Sequence, residues 1–356
     1  MHIKRLDWYL NGAILFLCFA GLLSLASTKP DLFWPQLVWI AIGFLLIIFT
    51  ANFDWRSIVI NKQFIWGIYL IALAALILTF FVAPSIRGVR AWIMFGPFNF
   101  QTSELAKLAL ILIFSSFFAK EHVGIANVKN IFLSSFYFLI LAGLVIIQPD
   151  LGTVLIMFGI WFGYLLVSGI KLRHLIISAI IFSIIFAFLW LGALQPYQKQ
   201  RIVGLFVPEK DPLGINYNVI QSKIAIGSAG FFGKGFRQGT QSQLGFLPEA
   251  QTDFIFASFT EEWGLFGALS VLSAFLIILT RIIKMGLRAD NNFSRFICLG
   301  AFILFMLHFV LNIGSNLGLT PVIGVSFPFF SYGGSNLLIS SLLVGMIQGT
   351  RVYKRF

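Results

Sequence analysis

Ten apolar runs alternate with polar connections along the chain, at 9–27, 34–50, 64–82, 103–118, 131–148, 152–167, 175–194, 254–279, 296–313 and 337–349. A helix needs about 20 predominantly apolar residues to cross a bilayer, with roughly 17–25 as the working range. The pattern therefore predicts an all-α polytopic membrane protein of about ten transmembrane helices, with residues 1–356 forming a single membrane domain. The first run is weakly basic at its start and lacks a small-residue cleavage site, so it is expected to stay as an anchor.

Three connections are too long or too unusual to be simple turns. The segment at about 193–251, between the seventh and eighth runs, is polar and bears glycines, and loops of this length are usually functional or disordered. Tyr, Phe, Ile and Leu occur throughout it, so order is expected, with a short interfacial helix over 218–229. The other two are 83–102, with Arg87, Arg90 and Trp92, and 315–336, with Pro321, Pro328, Gly318, Gly324, Gly333 and Gly334.

Composition supports the membrane reading. The chain is 59% apolar and 11% charged, against roughly 45–50% and about 25% for globular domains. Its net charge of +12 could point to nucleic acid, but the distribution gives a different reason. With ten spans, both termini lie on one side, and that side carries 15 Lys and Arg against four acids, while the other carries ten basic and nine acidic residues. The positive-inside rule places the richer side, and both termini, in the cytoplasm. No nucleic-acid partner is then needed to explain the charge. The two cysteines and four histidines show no ligand-like spacing, so no metal or haem motif and no disulfide framework follows.

Charged residues near the membrane boundary are the chemical candidates. Glu104 and Lys107, in Gln101-Thr102-Ser103-Glu104-Leu105-Ala106-Lys107, are three residues apart on one helical face and can pair. That pair could fix a helix start, line a cavity, or do both. Asp253, in Pro248-Glu249-Ala250-Gln251-Thr252-Asp253-Phe254, is either an N-terminal helix cap or a general base in a partly desolvated cavity. Glu261 and Glu262 follow, pointing about 100° apart on a helix and so poorly placed to act as one pair. The stretch from Asn312 to Asn336 reads either as a re-entrant segment lining a cavity or as an ordinary loop. Gly227, Gly230, Gly233, Gly235 and Gly239 lack the strand and helix context of a phosphate-binding loop. Gln148-Pro149-Asp150-Leu151-Gly152 reads as a tight turn between two spans. These residues alone leave open whether a polar site between the helices transports or catalyses.

Together the motifs resemble the SEDS family (shape, elongation, division and sporulation). The matches are Gly88-Val89-Arg90-Ala91-Trp92-Ile93, the segment 101–107, Gln148 to Gly152, Tyr197-Gln198-Lys199-Gln200-Arg201, Gln221-Ser222, 247–264 and 318–335. They span almost the whole chain in family order. Thr102 departs from the pattern, which usually has proline there. Gly239-Thr240-Gln241-Ser242 is similar to the RodA branch, which favours elongation over division.

The resemblance implies a peptidoglycan glycosyltransferase that polymerises lipid II at the outer face of the bacterial cytoplasmic membrane, with a class B penicillin-binding protein as partner. It places the essential carboxylate at Asp253, expected to be the catalytic base, and because the leaving diphosphate needs cationic stabilisation, Arg90, Lys107 and Arg201 are the candidates for that role. Glu104, Gln221 and Ser331 join them as substrate-binding residues. A divalent cation could share the diphosphate, although the sequence holds no dedicated metal cage. A lipid II flippase, a division paralogue of the same enzyme and a non-catalytic scaffold are the alternatives.

Overall fold

The structure, a computed structural model, describes the chain apart from residues 1–5, 54, 56–61, 86–88, 96–97, 122–127, 194–198, 201–202, 206–213, 215 and 353–356. Ten long helices coincide with the ten predicted runs. They are α1 (Trp8–Thr28), α2 (Phe33–Ala51), α3 (Lys62–Val82), α4 (Thr102–Glu121), α5 (Val128–Ile147), α6 (Leu151–Val167), α7 (Leu172–Phe188), α10 (Ile255–Leu287), α11 (Asn292–Leu317) and α12 (Gly334–Val352). Between α7 and α10 the described residues include a π-helical turn (Leu189–Ala193) and the shorter helices α8 (Tyr217–Gly227), close to the predicted interfacial helix, and α9 (Thr240–Gln243).

Among the described residues, seven helices are long and apolar enough to cross a membrane: α1, α2, α3, α4, α5, α10 and α11. The protein is an all-α polytopic membrane protein. Its outer shell is what lipid requires: Phe81, Phe132, Phe188 and Leu191 are each more than 70% exposed, which suits hydrocarbon contact and would be costly in water.

At the centre stands α4, where Thr102, Ser103, Glu104, Lys107 and Ser115 are buried along with its apolar residues. It packs against α3, α5, α6, α11 and α12. A helix enclosed on so many sides must pair its polar groups inside the protein. Ser115 does so with the Tyr164 hydroxyl at 2.8 Å.

The segment 83–102 contains the one sheet among the described residues. Strands β1 (Trp92–Phe95) and β2 (Phe98–Gln101) pair antiparallel, with Trp92 opposite Gln101. The hairpin explains why this segment is not a simple turn. It leads into Thr102, the first residue of α4. Proline suits that position, but threonine does something proline cannot. Its N–H donates to the Ala91 carbonyl at 3.4 Å, and its hydroxyl meets that of Thr79 at 2.8 Å.

One end of the bundle is locked by a polar cluster. Asp7 caps α1 by accepting from Leu10 N–H at 3.1 Å and receives both Nε and Nη2 of Arg281. Gln348 of α12 accepts from Asp7 N–H at 3.0 Å and donates to Asn11 at 2.7 Å. The start of α1 and the ends of α10 and α12 therefore meet at one face of the membrane domain.

Candidate active site

At the opposite end of α10 lies Asp253, half-buried between Thr252 and the fully buried Phe254. The helix-cap reading does not hold, because the cap position falls on Phe254, which has no side-chain acceptor. The cap comes from another helix. Asn316 of α11 accepts the Ala257 N–H through Oδ1 at 3.1 Å, satisfying one of the orphan donors at the start of α10. The cap acceptor is thus Asn316, and Asp253 Oδ2 would stand 3.8 Å from a Cβ placed on Gly324.

The backbone before α10 is clamped at three consecutive carbonyls. Tyr332 N–H donates to Gln251 O at 3.0 Å, and the Ser331 hydroxyl donates to Thr252 O at 2.7 Å. Asp253 O accepts from Asn312 Nδ2 at 3.1 Å and from Asn316 Nδ2 at 2.9 Å. Ser331 also accepts from Phe327 N–H at 2.9 Å, which closes its own turn.

The segment between α11 and α12 is non-helical and deep. Phe327, Phe329 and Phe330 are buried, and the segment is tied to the helices around it rather than looping freely. Gly152 marks a close approach, since a Cβ there would stand 2.4 Å from Ile323 O. Next to it, Asp150 caps α6 by accepting the Thr153 N–H at 3.1 Å and the Thr153 hydroxyl at 2.7 Å, so the predicted turn ends in a helix cap.

Glu104 and Lys107 pair at 2.8 Å, as their spacing predicts, and both are buried. The pair belongs to a longer chain. Asn336 Nδ2 donates to the other Glu104 oxygen at 3.3 Å, and Lys107 Nζ lies 3.1 Å from His308 Nε2. His308 Nδ1 is 2.9 Å from the Ser326 carbonyl, which can only accept, so Nδ1 carries the proton and Nε2 accepts from the ammonium. Lys107 therefore supplies positive charge at depth with two of its three N–H bonds committed.

The other candidates are more scattered. Arg90 has an exposed side chain and anchors its backbone to Gln148 O at 3.4 Å. Gln221 is half-buried on α8, beside Ser222, whose hydroxyl donates to Asn316 O at 2.8 Å. Arg201 lies outside the described residues, as do Arg87 and most of the stretch 197–201.

Glu261 and Glu262 serve separate purposes, as their angular separation implies. Glu261 accepts from Lys234 Nζ, from Gln241 and Ser242 N–H, and from the Thr240 and Ser242 hydroxyls. It thus caps α9 and binds the loop to α10. Glu262 is held by the Ser27 hydroxyl and by Gln243 Nε2. The glycine series is a strap and not a phosphate loop. At Gly264 (φ 70°, ψ −168°) α10 breaks. Lys234 and Gly235 N–H donate to the carbonyls of Glu261 and Glu262, while Gly230 and Phe231 carbonyls accept from Leu265 and Phe266.

Sequence reasoning missed His308 and took Asn312 and Asn316 only as part of the stretch 312–336, without the stripe that the three form. The signal was their spacing of four along a helix, which puts polar groups on one face of an apolar span.

Fold and site together define a polytopic membrane protein with a half-exposed carboxylate held in a non-helical cradle, at the end of the bundle away from the Asp7–Arg281 pair. The FtsW/RodA/SpoVE family, described as cell cycle protein, matches over residues 8–355, and the chain belongs to it. It is 34% identical over 316 residues to peptidoglycan glycosyltransferase MrdB of Escherichia coli K12, covering 89% of this chain and 84% of that one. It is likewise 34% identical to stage V sporulation protein E of Bacillus subtilis, over 90% and 87% of the two chains. Among solved structures, a chain from a peptidoglycan synthase complex that coordinates polymerization and crosslinking superposes with TM-score 0.82 and 31% identity, covering 98% of this chain and 99% of that one. The rod shape determining protein RodA of Thermus thermophilus superposes with TM-score 0.71 and 28% identity, over 98% of each chain.

Proposed function

We propose that this protein is a peptidoglycan glycosyltransferase that polymerises lipid II at the outer face of the bacterial cytoplasmic membrane. The names of its relatives support the activity. The observation that carries the site assignment is the Asp253 carboxylate, held by its own backbone and left half-open beside Gly324.

In this reading Asp253 takes the proton from the acceptor sugar's 4-hydroxyl as that oxygen attacks the donor's anomeric carbon. Undecaprenyl diphosphate leaves. An α-linked donor and a β-linked product require one inversion, so one base suffices and no second carboxylate is needed as nucleophile. Arg90 and Arg201 are the proposed contacts for the developing diphosphate charge, with buried Lys107 adding positive potential from below. Gln221 would border the bound substrate, whereas Ser331, buried and with its hydroxyl committed to Thr252 O and Phe327 N–H, would act through the backbone it clamps and not by direct contact. Among the described residues no group of three His, Cys, Asp or Glu gathers to hold a metal. A divalent cation sharing the diphosphate, as magnesium commonly does, belongs to the same proposal.

The distribution of basic residues supports an outward site and cytoplasmic termini. A class B penicillin-binding protein is the proposed partner, a reading supported by the similarity to a chain of a synthase complex. An elongation role rests on the RodA-like motif at Gly239 to Ser242 and on the likeness to RodA.

The test is polymerisation of lipid II in detergent by the purified protein, with and without a class B partner, comparing wild type with Asp253→Asn. Polymer from wild type and none from the folded variant is the expected result. Equal polymer from both overturns Asp253 as base. No polymer from either, partner included, favours the flippase or scaffold.

A further inference from the structure

One face of α11 carries His308, Asn312 and Asn316 at successive intervals of four residues, so the three side chains form a stripe along the helix. Among the described residues, every side-chain hydrogen bond that the stripe makes outside α11, apart from the one to Lys107, goes to backbone of the cradle or of the start of α10. His308 holds Ser326 O at 2.9 Å and Asn312 holds Val325 O at 2.8 Å. Asn312 and Asn316 hold Asp253 O at 3.1 and 2.9 Å, and Asn316 caps α10 through Ala257 N–H at 3.1 Å.

The two asparagines are themselves locked. Asn312 and Asn316 are fully buried. Asn316 Nδ2 also donates to Asn312 O at 2.8 Å, and the Ser222 hydroxyl on α8 donates to Asn316 O at 2.8 Å. Each amide nitrogen donates to two backbone carbonyls, while Asn316 Oδ1 accepts from Ala257 N–H and Asn312 Oδ1 accepts from Asn316 Nδ2 at 3.4 Å. A buried network satisfied in this way is rigid.

We infer that Asn312 and Asn316 are positioning residues that fix the backbone of Asp253, and with it the direction of its carboxylate beside Gly324. The inference rests on the proposed role of Asp253 as base. Both parts of the amide matter. The oxygen of Asn316 removes the need for a local cap, and the nitrogens of both residues fix the carbonyl of the very residue whose carboxylate reacts. An aspartate at 316 would keep the cap acceptor and lose the donor, and it would set a second carboxylate near the base.

The experiment compares wild type, Asn312→Ala, Asn316→Ala, Asn316→Asp and Asp253→Asn. It measures lipid II polymerisation, a pH–rate profile, and hydrogen exchange of the 250–258 backbone in the same folded preparations. The expected result is a fall in kcat of about 100-fold for each alanine variant with KM within about threefold, as misplacement of a reacting group produces. Exchange at 253–258 rises. Asn316→Asp stays impaired, and its activity profile moves to higher pH, since a nearby like charge raises the base's pKa. Alanine variants with wild-type kcat overturn the inference. Full activity and an unshifted profile in Asn316→Asp also overturn it, because Asp caps a helix as well as Asn does and a capping role alone would be rescued. If wild type makes no polymer, the functional reading fails by itself. Hydrogen exchange then decides the positioning of Asp253: faster exchange in the alanine variants supports it, and unchanged exchange overturns it.

Discussion

Lys107 and His308 meet 3.1 Å apart in the bundle interior, and the imidazole is the acceptor. Because the other ring nitrogen donates to Ser326 O, the ring is neutral and lies against a buried ammonium whose counter-charge is Glu104. Removing one partner of a buried ion pair leaves an uncompensated charge, at a cost of roughly 3–5 kcal/mol. Lys107→Met is expected to lower unfolding stability by that amount, and the double variant Glu104→Gln/Lys107→Met by clearly less than the sum. A double-mutant cycle read by thermal or denaturant unfolding in detergent checks this, and additive losses would contradict the coupling.

Gly264 cannot accept a side chain. Its φ is 70°, and a Cβ would stand 2.3 Å from both Gly233 N and Phe231 O. Gly233 has the reciprocal problem, with a Cβ 2.1 Å from Glu262 O. Gly264→Ala and Gly233→Ala should each expel the 230–235 strap from the break in α10, detected as new proteolytic cleavage in that segment. The double variant should be little worse than either single one, because both break the same contact.

Glu261 gathers five donors, among them two backbone N–H groups at the start of α9. Hydrogen bonds to charged groups contribute about 1.5–3 kcal/mol each at most, and not additively. Glu261→Ala is expected to destabilise the protein by about 2–4 kcal/mol and to speed amide exchange over 234–243. Glu261→Gln should retain part of the protection, since its carbonyl still accepts. Unchanged exchange in Glu261→Ala would show that the loop is held by other means.

Thr102→Pro tests the departure from the family pattern. The substitution removes the bonds to Ala91 O and to the Thr79 hydroxyl but suits the first turn of α4. Because the replaced N–H is hydrogen-bonded, the loss of stability should exceed the roughly 0.4–1 kcal/mol that proline gains from chain entropy, with activity within a few-fold. A loss of several kcal/mol would mean that the Thr79 contact dominates.

The sequence by itself determined the membrane class and the places of the long helices. Runs such as 64–82 and 296–313 are too long and too poor in charge for any other solvent than lipid and protein, and that follows from residue chemistry alone. The Glu104–Lys107 pair was legible for the same reason: three residues apart on a helix is a local geometry. So was the functional class, through motifs that stay in order along the chain.

Only the tertiary structure decided what Asp253 does in the backbone. An aspartate before an apolar run is locally indistinguishable from a cap, and the group that takes the cap instead is Asn316, 59 residues after Ala257. The partners of Lys107 and Glu261 were equally hidden, since His308 lies 201 residues away and the loop that Glu261 organises folds back onto a broken helix. Local sequence sets helix periods and charge spacing, but long-range hydrogen bonds depend on which helices become neighbours. That choice is made by packing of the whole bundle.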